Sequence, residues 1–352
     1  MSERRIEGVD VARGVASLVM IQGHAYDGWV ALEHKESAAY LFTRLLGTLP
    51  LPAFLVLAGA AVVLRVEAAR RRGEDLARVR RGVAVRGASV VLYGYLASLA
   101  YGLMDGFTSV DTLLRADVLH VIGLSILALA LAGVRADRRA LPVAAGLLVL
   151  VPTALCPWLS PLGAHASGPL RWIAGLFVDV PGVTLMPFVP LVAWVGIGAL
   201  AALGMLRARG ERPLPAGAPA AVLAAMAGAA LAVAALAHAG TGWVLDARGG
   251  TLSRAHPAVW LNVIDLGARG VLVLAAAALA TNALPARARA VLVRLGRGSL
   301  VAYVLHIPFC YGLLGAPVRG RLDMLEASGL VLALMALSVL AVYARDRALR
   351  AR

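Results

Sequence analysis

His24, His120 and His306, with Asp117 and Asp265, are the residues of this chain whose types suit them to chemistry. Imidazoles and carboxylates pass protons near neutral pH, and an imidazole can also carry an acyl group. All five lie in or at the ends of apolar runs, where an ionisable side chain is costly and by default marks a functional site. The stretch "VDVARGVASLVMIQGHAYDGW", Val9 to Trp29, poses the question most sharply. At about 100° per residue, its Asp10, Arg13, Ser17, Met20, His24 and Asp27 fall along one helix face. A charged group at the bilayer centre costs on the order of 2.5–3.5 kcal/mol, so this face is expected to meet the bundle interior or a wet cavity. Arg13 and His24 sit roughly 16 Å apart along the axis. One helix thus offers a cation near one surface and an imidazole towards the other, which suits a reaction whose two substrates arrive from opposite sides. Plainer readings stand beside this one. Arg13 can be a snorkelling anchor, Asp10 its i, i+3 partner or a helix cap, His24 a packed structural histidine, and Asp27 an interfacial residue.

The remaining candidates come from separate runs. "DVLHVIG" sets Asp117 and His120 at i, i+3 at the start of one apolar segment. "NVIDLGARG" puts Asn262, Asp265 and Arg269 on one face of another, and "SLVAYVLHIPF" carries His306. By depth, His24, His120, Asp265 and His306 are expected to converge in the outer half of a bundle. The alternatives are a buried Asp265–Arg269 ion pair and a helix-end role for His306, which precedes Pro308. No HxxxH or HxxH pair is present, so no metal ion is expected. Nucleophile-elbow, P-loop and dinucleotide motifs are likewise missing from the sequence.

The elements that position these groups follow from hydropathy. The chain has 352 residues, 60% hydrophobic and 15% charged, with mean hydropathy +0.80. A soluble domain cannot hide that much apolar surface. About ten spans are expected, near 9–31, 40–65, 83–104, 117–134, 139–156, 184–206, 218–239, 260–282, 297–315 and 328–344. Pro50 and Pro52 should break the second. The net charge of +14 resides in arginine clusters between the runs. Arg4 and Arg5, Arg70 to Arg72, Arg78 to Arg81, Arg135 to Arg139, Arg207 to Arg212, Arg287 to Arg294 and Arg345 to Arg352 bound one side. Asp27, Glu33, Glu36, Asp105, Asp111, Asp179 and Asp246 bound the other, with Arg319 and Arg321 against the trend. The positive-inside rule then predicts an all-α polytopic membrane helix bundle with both termini cytoplasmic. The charge is read as topology, not as a nucleic-acid footprint. Residues 1–352 read as a single membrane domain, whose first apolar run is retained and not cleaved as a signal peptide. Trp158, Trp172, Trp243 and Trp260 suit the membrane interface. Cys156 and Cys310 suit apolar packing.

These segments carry a resemblance. "RRIEGVDVARGVASLVMIQGHAYDGW" resembles the first span of the transmembrane acyltransferase superfamily, with its Asp-x-x-Arg-Gly entry and Arg-x10-His motif at Asp10, Arg13, Gly14 and His24. "LPAFLVLAGAAVVL", "RRGVAVRG", "DVLHVIGLSIL" and "LGRGSLVAYVLHIPF" are similar to the branch of heparan-α-glucosaminide N-acetyltransferase and its bacterial relatives. The resemblance implies a bundle that moves an acyl group, acetyl foremost, from cytosolic acyl-CoA to a hydroxyl or amine of an extracytoplasmic glycan or envelope component. It implies the inner membrane of a bacterium, with bilayer, acyl-CoA and acceptor as partners and a homodimer left open. On that reading His24 is base or acyl carrier, with His34 a lesser candidate. Arg13, Arg81 or Arg86 would hold CoA phosphates, Asp117, His120 and Asp265 would orient the base or acceptor, and His306 is a further catalytic candidate. The rival is a secondary transporter, because polar midplane stripes and proline-broken spans also occur there.

Overall fold

The computed structural model describes residues 7–106, 109–209, 219–248 and 254–351. Arg4, Arg5, Arg212 and Arg352 lie outside these residues, as do the side chains of Asp105, Arg209, Trp243 and Asp246. The chain begins with helices α1 (Glu7–Trp29), α2 (Ala38–Gly47), α3 (Pro50–Arg71), α4 (Leu76–Asp105) and α5 (Val110–Leu113). It continues through α6 (Val118–Gly133), α7 (Ala140–Leu159), α8 (Leu170–Phe177), α9 (Phe188–Arg209) and α10 (Ala220–Arg248). It ends with α11 (Val259–Ala280), α12 (Ala286–Arg297), α13 (Ser299–Cys310) and α14 (Met324–Arg350). The described residues hold no strand, only isolated bridges of Val30 with Leu322 and Ala116 with Thr184. The architecture is a polytopic all-α bundle.

Local chemistry sets the helix limits. Asp75, Asp117 and Asp323 cap the starts of α4, α6 and α14, each side chain accepting a backbone N–H that the helix leaves unpaired. Pro50 opens α3 at the first turn, where its missing N–H costs nothing, so the second apolar run is split as its prolines require. Among the described residues, seven helices are long and apolar enough to cross a membrane, with α2 and α3 counted together. The α12–α13 pair, bent by 79°, makes an eighth if it is one span. Two of the ten expected runs fall short, for different reasons. The 16 residues of α6 reach only about 24 Å, whereas α1 is diluted by Glu7, Asp10, Arg13, His24 and Asp27.

Two apolar cores hold the bundle. The larger gathers Leu55, Val56 and Val63 of α3, Val195 and Ala199 of α9, Leu129 of α6 and Leu274 of α11. Small residues bring α3 and α9 together: a Cβ on Gly59 would lie 1.9 Å from the Val195 carbonyl oxygen, so no other residue fits this crossing. The smaller core joins Ile21, Ala25 and Trp29 of α1 to Ala302 and Cys310 of α13 and Val331 and Leu334 of α14. Apolar residues also face outwards, with Leu236 of α10 74% exposed and Leu332 of α14 67% exposed. Such surface is stable against lipid and unstable in water. This is an integral membrane protein. The cysteines, Cys156 and Cys310, are buried free thiols.

Candidate functional site

The polar stripe of α1 meets two different environments. At its N-terminal end, buried Asp10 stands between two arginines, Arg13 at 3.5 Å and Arg297 of α12 at 3.0 Å. Backbone contact fixes this arrangement. A Cβ on Gly14 would lie 2.3 Å from the Leu292 carbonyl oxygen, and one on Gly296 would lie 1.9 Å from that of Asp10. Around it stand Arg289 with Glu7, and Arg294 and Arg345 with Asp346. Ser17 turns its hydroxyl to the Arg13 carbonyl, 2.9 Å away, and so adds no open donor to the stripe.

Three turns further on, α1 meets α13. His24 Nδ1 lies 2.8 Å from His306 Nε2, and His306 Nδ1 lies 2.9 Å from the Ala302 carbonyl oxygen. The rings are stacked, 5.1 Å between centroids and 16° from parallel. A carbonyl oxygen only accepts, so His306 must carry its proton on Nδ1, and its Nε2 is then an acceptor. His24 must therefore donate from Nδ1. In the neutral ring this leaves a lone pair on His24 Nε2, to which no described residue donates. A bare imidazole nitrogen of this kind can take up a proton or attack a carbonyl carbon. Tyr311 packs its ring 5.5 Å from His24 and gives its hydroxyl to Asp27 Oδ2 at 3.1 Å. The half-exposed Asp27 carboxylate also accepts from Arg44 at 3.1 Å, so Asp27 is an anchored rim residue one turn beyond His24.

A second polar group stands behind His306. His120 Nδ1 is 2.9 Å from Asp117 Oδ1 and 3.1 Å from the Asp117 backbone nitrogen, closing a capping box on α6. Its ring is fully buried, lies edge-on to Tyr95 at 4.3 Å, and leaves Nε2 without a hydrogen-bond partner among the described residues. Tyr303 of α13 reaches across to donate to Asp117 Oδ2 at 2.9 Å, while its ring lies 5.9 Å from that of His306. Tyr101 of α4 donates to the Val304 carbonyl at 3.1 Å.

The candidate residues are therefore only partly gathered. His24 and His306 touch. Asp117 and His120 connect to them through Tyr303. Asp265 is committed elsewhere, in a two-point pair with Arg269 at 2.7 and 2.8 Å and near His238 at 3.4 Å. Arg269 also donates to Thr48 at 3.2 Å, and Thr48 follows Gly47, which packs against Gly23 beside His24. Arg81 and Arg86 are exposed on α4, which packs chiefly on α6 and is not closely paired with α1. Arg13 is thus separated from them and neighbours Arg297 instead. His34 lies in the short turn Leu32–His34 beyond α1. Among the described residues no three His, Cys, Asp or Glu side chains cluster as a metal site.

Tyr303, Tyr311, Arg44 and Arg297 join the site without having been singled out from the sequence. Tyr303 had a usable signal, since it lies at i−3 from His306 and shares its helix face. Tyr311, Arg44 and Arg297 reach the site through loops and helix ends, which no periodicity marks.

The family model described as "Heparan-alpha-glucosaminide N-acetyltransferase, catalytic" matches residues 5–238. The match contains Arg13, His24, Arg81, Arg86, Asp117 and His120, while Asp265, Tyr303 and His306 follow it in the chain. No curated protein matches the sequence. With well over half its length covered, the chain belongs to the heparan-α-glucosaminide N-acetyltransferase catalytic family, a family of transmembrane acetyltransferases.

Proposed function

We propose that this protein transfers an acyl group, acetyl foremost, from acyl-CoA at the cytoplasmic face of a bacterial inner membrane to an amine or hydroxyl of an extracytoplasmic glycan or other envelope component. The observation that carries this reading is the bare Nε2 of His24, held by the His306 hydrogen bond in the half of α1 remote from Arg13. The arginine-rich loops argue for the orientation, with both termini and the donor on the cytoplasmic side.

In the reaction, the acceptor nitrogen or oxygen attacks the thioester carbonyl carbon while its proton passes to His24 Nε2. The new C–N or C–O bond forms, the C–S bond breaks, and CoA leaves as a thiolate that takes up a proton. Positive charge arising on His24 is shared through its Nδ1–H bond with His306, much as a buried partner stabilises a catalytic imidazolium. The donor's phosphates call for guanidinium groups at the basic end. Arg13 and Arg297 on α1 and α12, and the exposed Arg81 and Arg86 on α4, are of the right chemistry. Asp117, His120 and Asp265 do not touch the open nitrogen and would act by orienting others.

The test is thioester cleavage by detergent-purified protein given labelled acetyl-CoA, with and without cell-envelope extract. Turnover in the wild type that disappears in His24→Ala supports the reading. Label retained on the protein without acceptor would identify His24 as acyl carrier instead of base. Folded wild-type protein that neither binds nor cleaves acetyl-CoA would overturn the reading in favour of transport.

A further inference from the structure

We infer that Tyr303 and Asp117 form a brace that holds His306, and through it the tautomer of His24, so that both act as positioning residues for the open nitrogen. The inference rests on the acyltransferase reading only for its kinetic consequence.

Four contacts in series carry it. Asp117 is fixed at the start of α6, where one carboxylate oxygen accepts from the Leu119 backbone at 2.9 Å and faces His120 Nδ1 at the same distance. Its other oxygen takes the Tyr303 hydroxyl at 2.9 Å. The Tyr303 ring then stands edge-on to His306, 68° between planes. His306 finally accepts from His24. Both His306 neighbours on α13 are thereby used: the Ala302 carbonyl fixes which nitrogen is protonated, and the Tyr303 ring fixes the plane in which the imidazole lies.

The packing explains why such a brace is needed. The close helix neighbours of α13 are α1, α12 and α14, whereas α6 belongs to the larger core with α3, α4, α7 and α9. Side chains therefore make the connection between α13 and the α4–α6 pair: Tyr303 to Asp117, and Tyr101 to the Val304 carbonyl. A histidine on a helix without close backbone contact on that side keeps its rotamer only if a side chain blocks the alternatives. His120 belongs to the same device. Fully buried, it packs against Asp117 through its Nδ1, and a Cβ on Gly94 would lie 2.6 Å from its ring. The role of Asp117 is then mechanical and electrostatic, reaching His24 only through Tyr303 and His306, with His120 behind it.

The experiment needs no acceptor. Protein labelled with ¹⁵N at its seven histidines reports each tautomer through its ring-nitrogen resonances, and His24→Gln identifies the signals of His24. In the wild type, His24 Nδ1 should be protonated and Nε2 bare. Tyr303→Phe, which keeps the ring and drops the hydroxyl, and Asp117→Asn, which keeps the helix cap, should each convert this signal into a mixture of tautomers. Acetyl-CoA cleavage should fall about tenfold in kcat in either variant, with KM for acetyl-CoA unchanged. The double variant should match the singles, because both break one brace. An unchanged His24 signal in both variants, or additive losses, would overturn the inference. Failure of the two ideas is distinguishable. A tautomer shift in a protein that cleaves no thioester keeps the brace and removes the acyltransferase reading. Cleavage that needs His24 but ignores Tyr303 does the reverse.

Discussion

The two ends of the α1 stripe carry similar residues into opposite fates. At the basic end, charge is neutralised: Asp10 is shared by Arg13 and Arg297, and glycines press α1 onto α12 until no side chain intervenes. At the other end the groups are uncharged imidazoles in a directed chain, Ala302 carbonyl to His306 to His24, which stops at an atom with no described donor. A buried charge must be paired to be tolerated. A buried neutral imidazole needs only one partner and can leave its second nitrogen available. The first end is built to hold helices together, and the second, on the function proposed above, to react.

This contrast breaks most visibly at His24. His24→Gln removes the open nitrogen while retaining a polar side chain on α1, and acyl transfer should fall by about a thousandfold, with thermal unfolding in detergent nearly unchanged. A parallel collapse of stability would mean that the imidazole pair is structural. Gly14→Val is the converse experiment. The added carbon has nowhere to go, being 2.3 Å from the Leu292 carbonyl oxygen. Overpacking of this kind costs about 2–3 kcal/mol, so unfolding should move to markedly lower temperature. Normal stability in that variant would show that α12 can slide away, and the tightness of the basic end would lose its meaning.

How much of this was legible in the sequence depends on where each partner lies. The α1 face reads directly, because Asp10, Arg13, Ser17, His24 and Asp27 share one helix and helical period alone puts them in line. The split at Pro50 and the caps at Asp117 and Asp323 are local for the same reason. The meeting of His24 with His306 spans 282 positions, and no periodicity carries that information. Depth in the membrane brings together every polar group at one level. It grouped His120 and Asp265 with His24 and His306, whereas His120 connects to the pair only through Asp117 and Tyr303 and Asp265 faces elsewhere. Asp265 turns to its own i+4 arginine and to α10, the plainer of its two sequence readings. The run at 9–31 forms helix α1 as expected, and its polar stripe keeps it short of the apolarity that seven other helices reach.

Asp10→Asn sharpens the comparison more gently. The variant keeps size and hydrogen-bonding atoms but removes the carboxylate charge that Arg13 and Arg297 share. A fully buried pair would cost several kcal/mol to break. Arg297 is 45% exposed and Arg13 24% exposed, so solvent screens much of this, and about 1–2 kcal/mol is expected. Arg297→Gln should cost less when added to Asp10→Asn than by itself, as shared partners require. Strict additivity would show that the two side chains are neighbours without being coupled.

The smallest effect belongs to the surface, at the α3–α4 turn beyond the basic end. Hydrogen bonds from Arg65 and Arg72 hold the Glu74 carboxyl below its ordinary value of 4.5. A carboxylate lowered in the folded state stabilises the protein above that ordinary value, and the contribution is lost as pH falls through the lowered one. Glu74→Gln should therefore unfold slightly below the wild type at pH 7, by less than about 1 °C. The two melting curves should converge as the carboxyl of the wild type protonates. A gap that persists at low pH would mean that Glu74 contributes through shape and not charge.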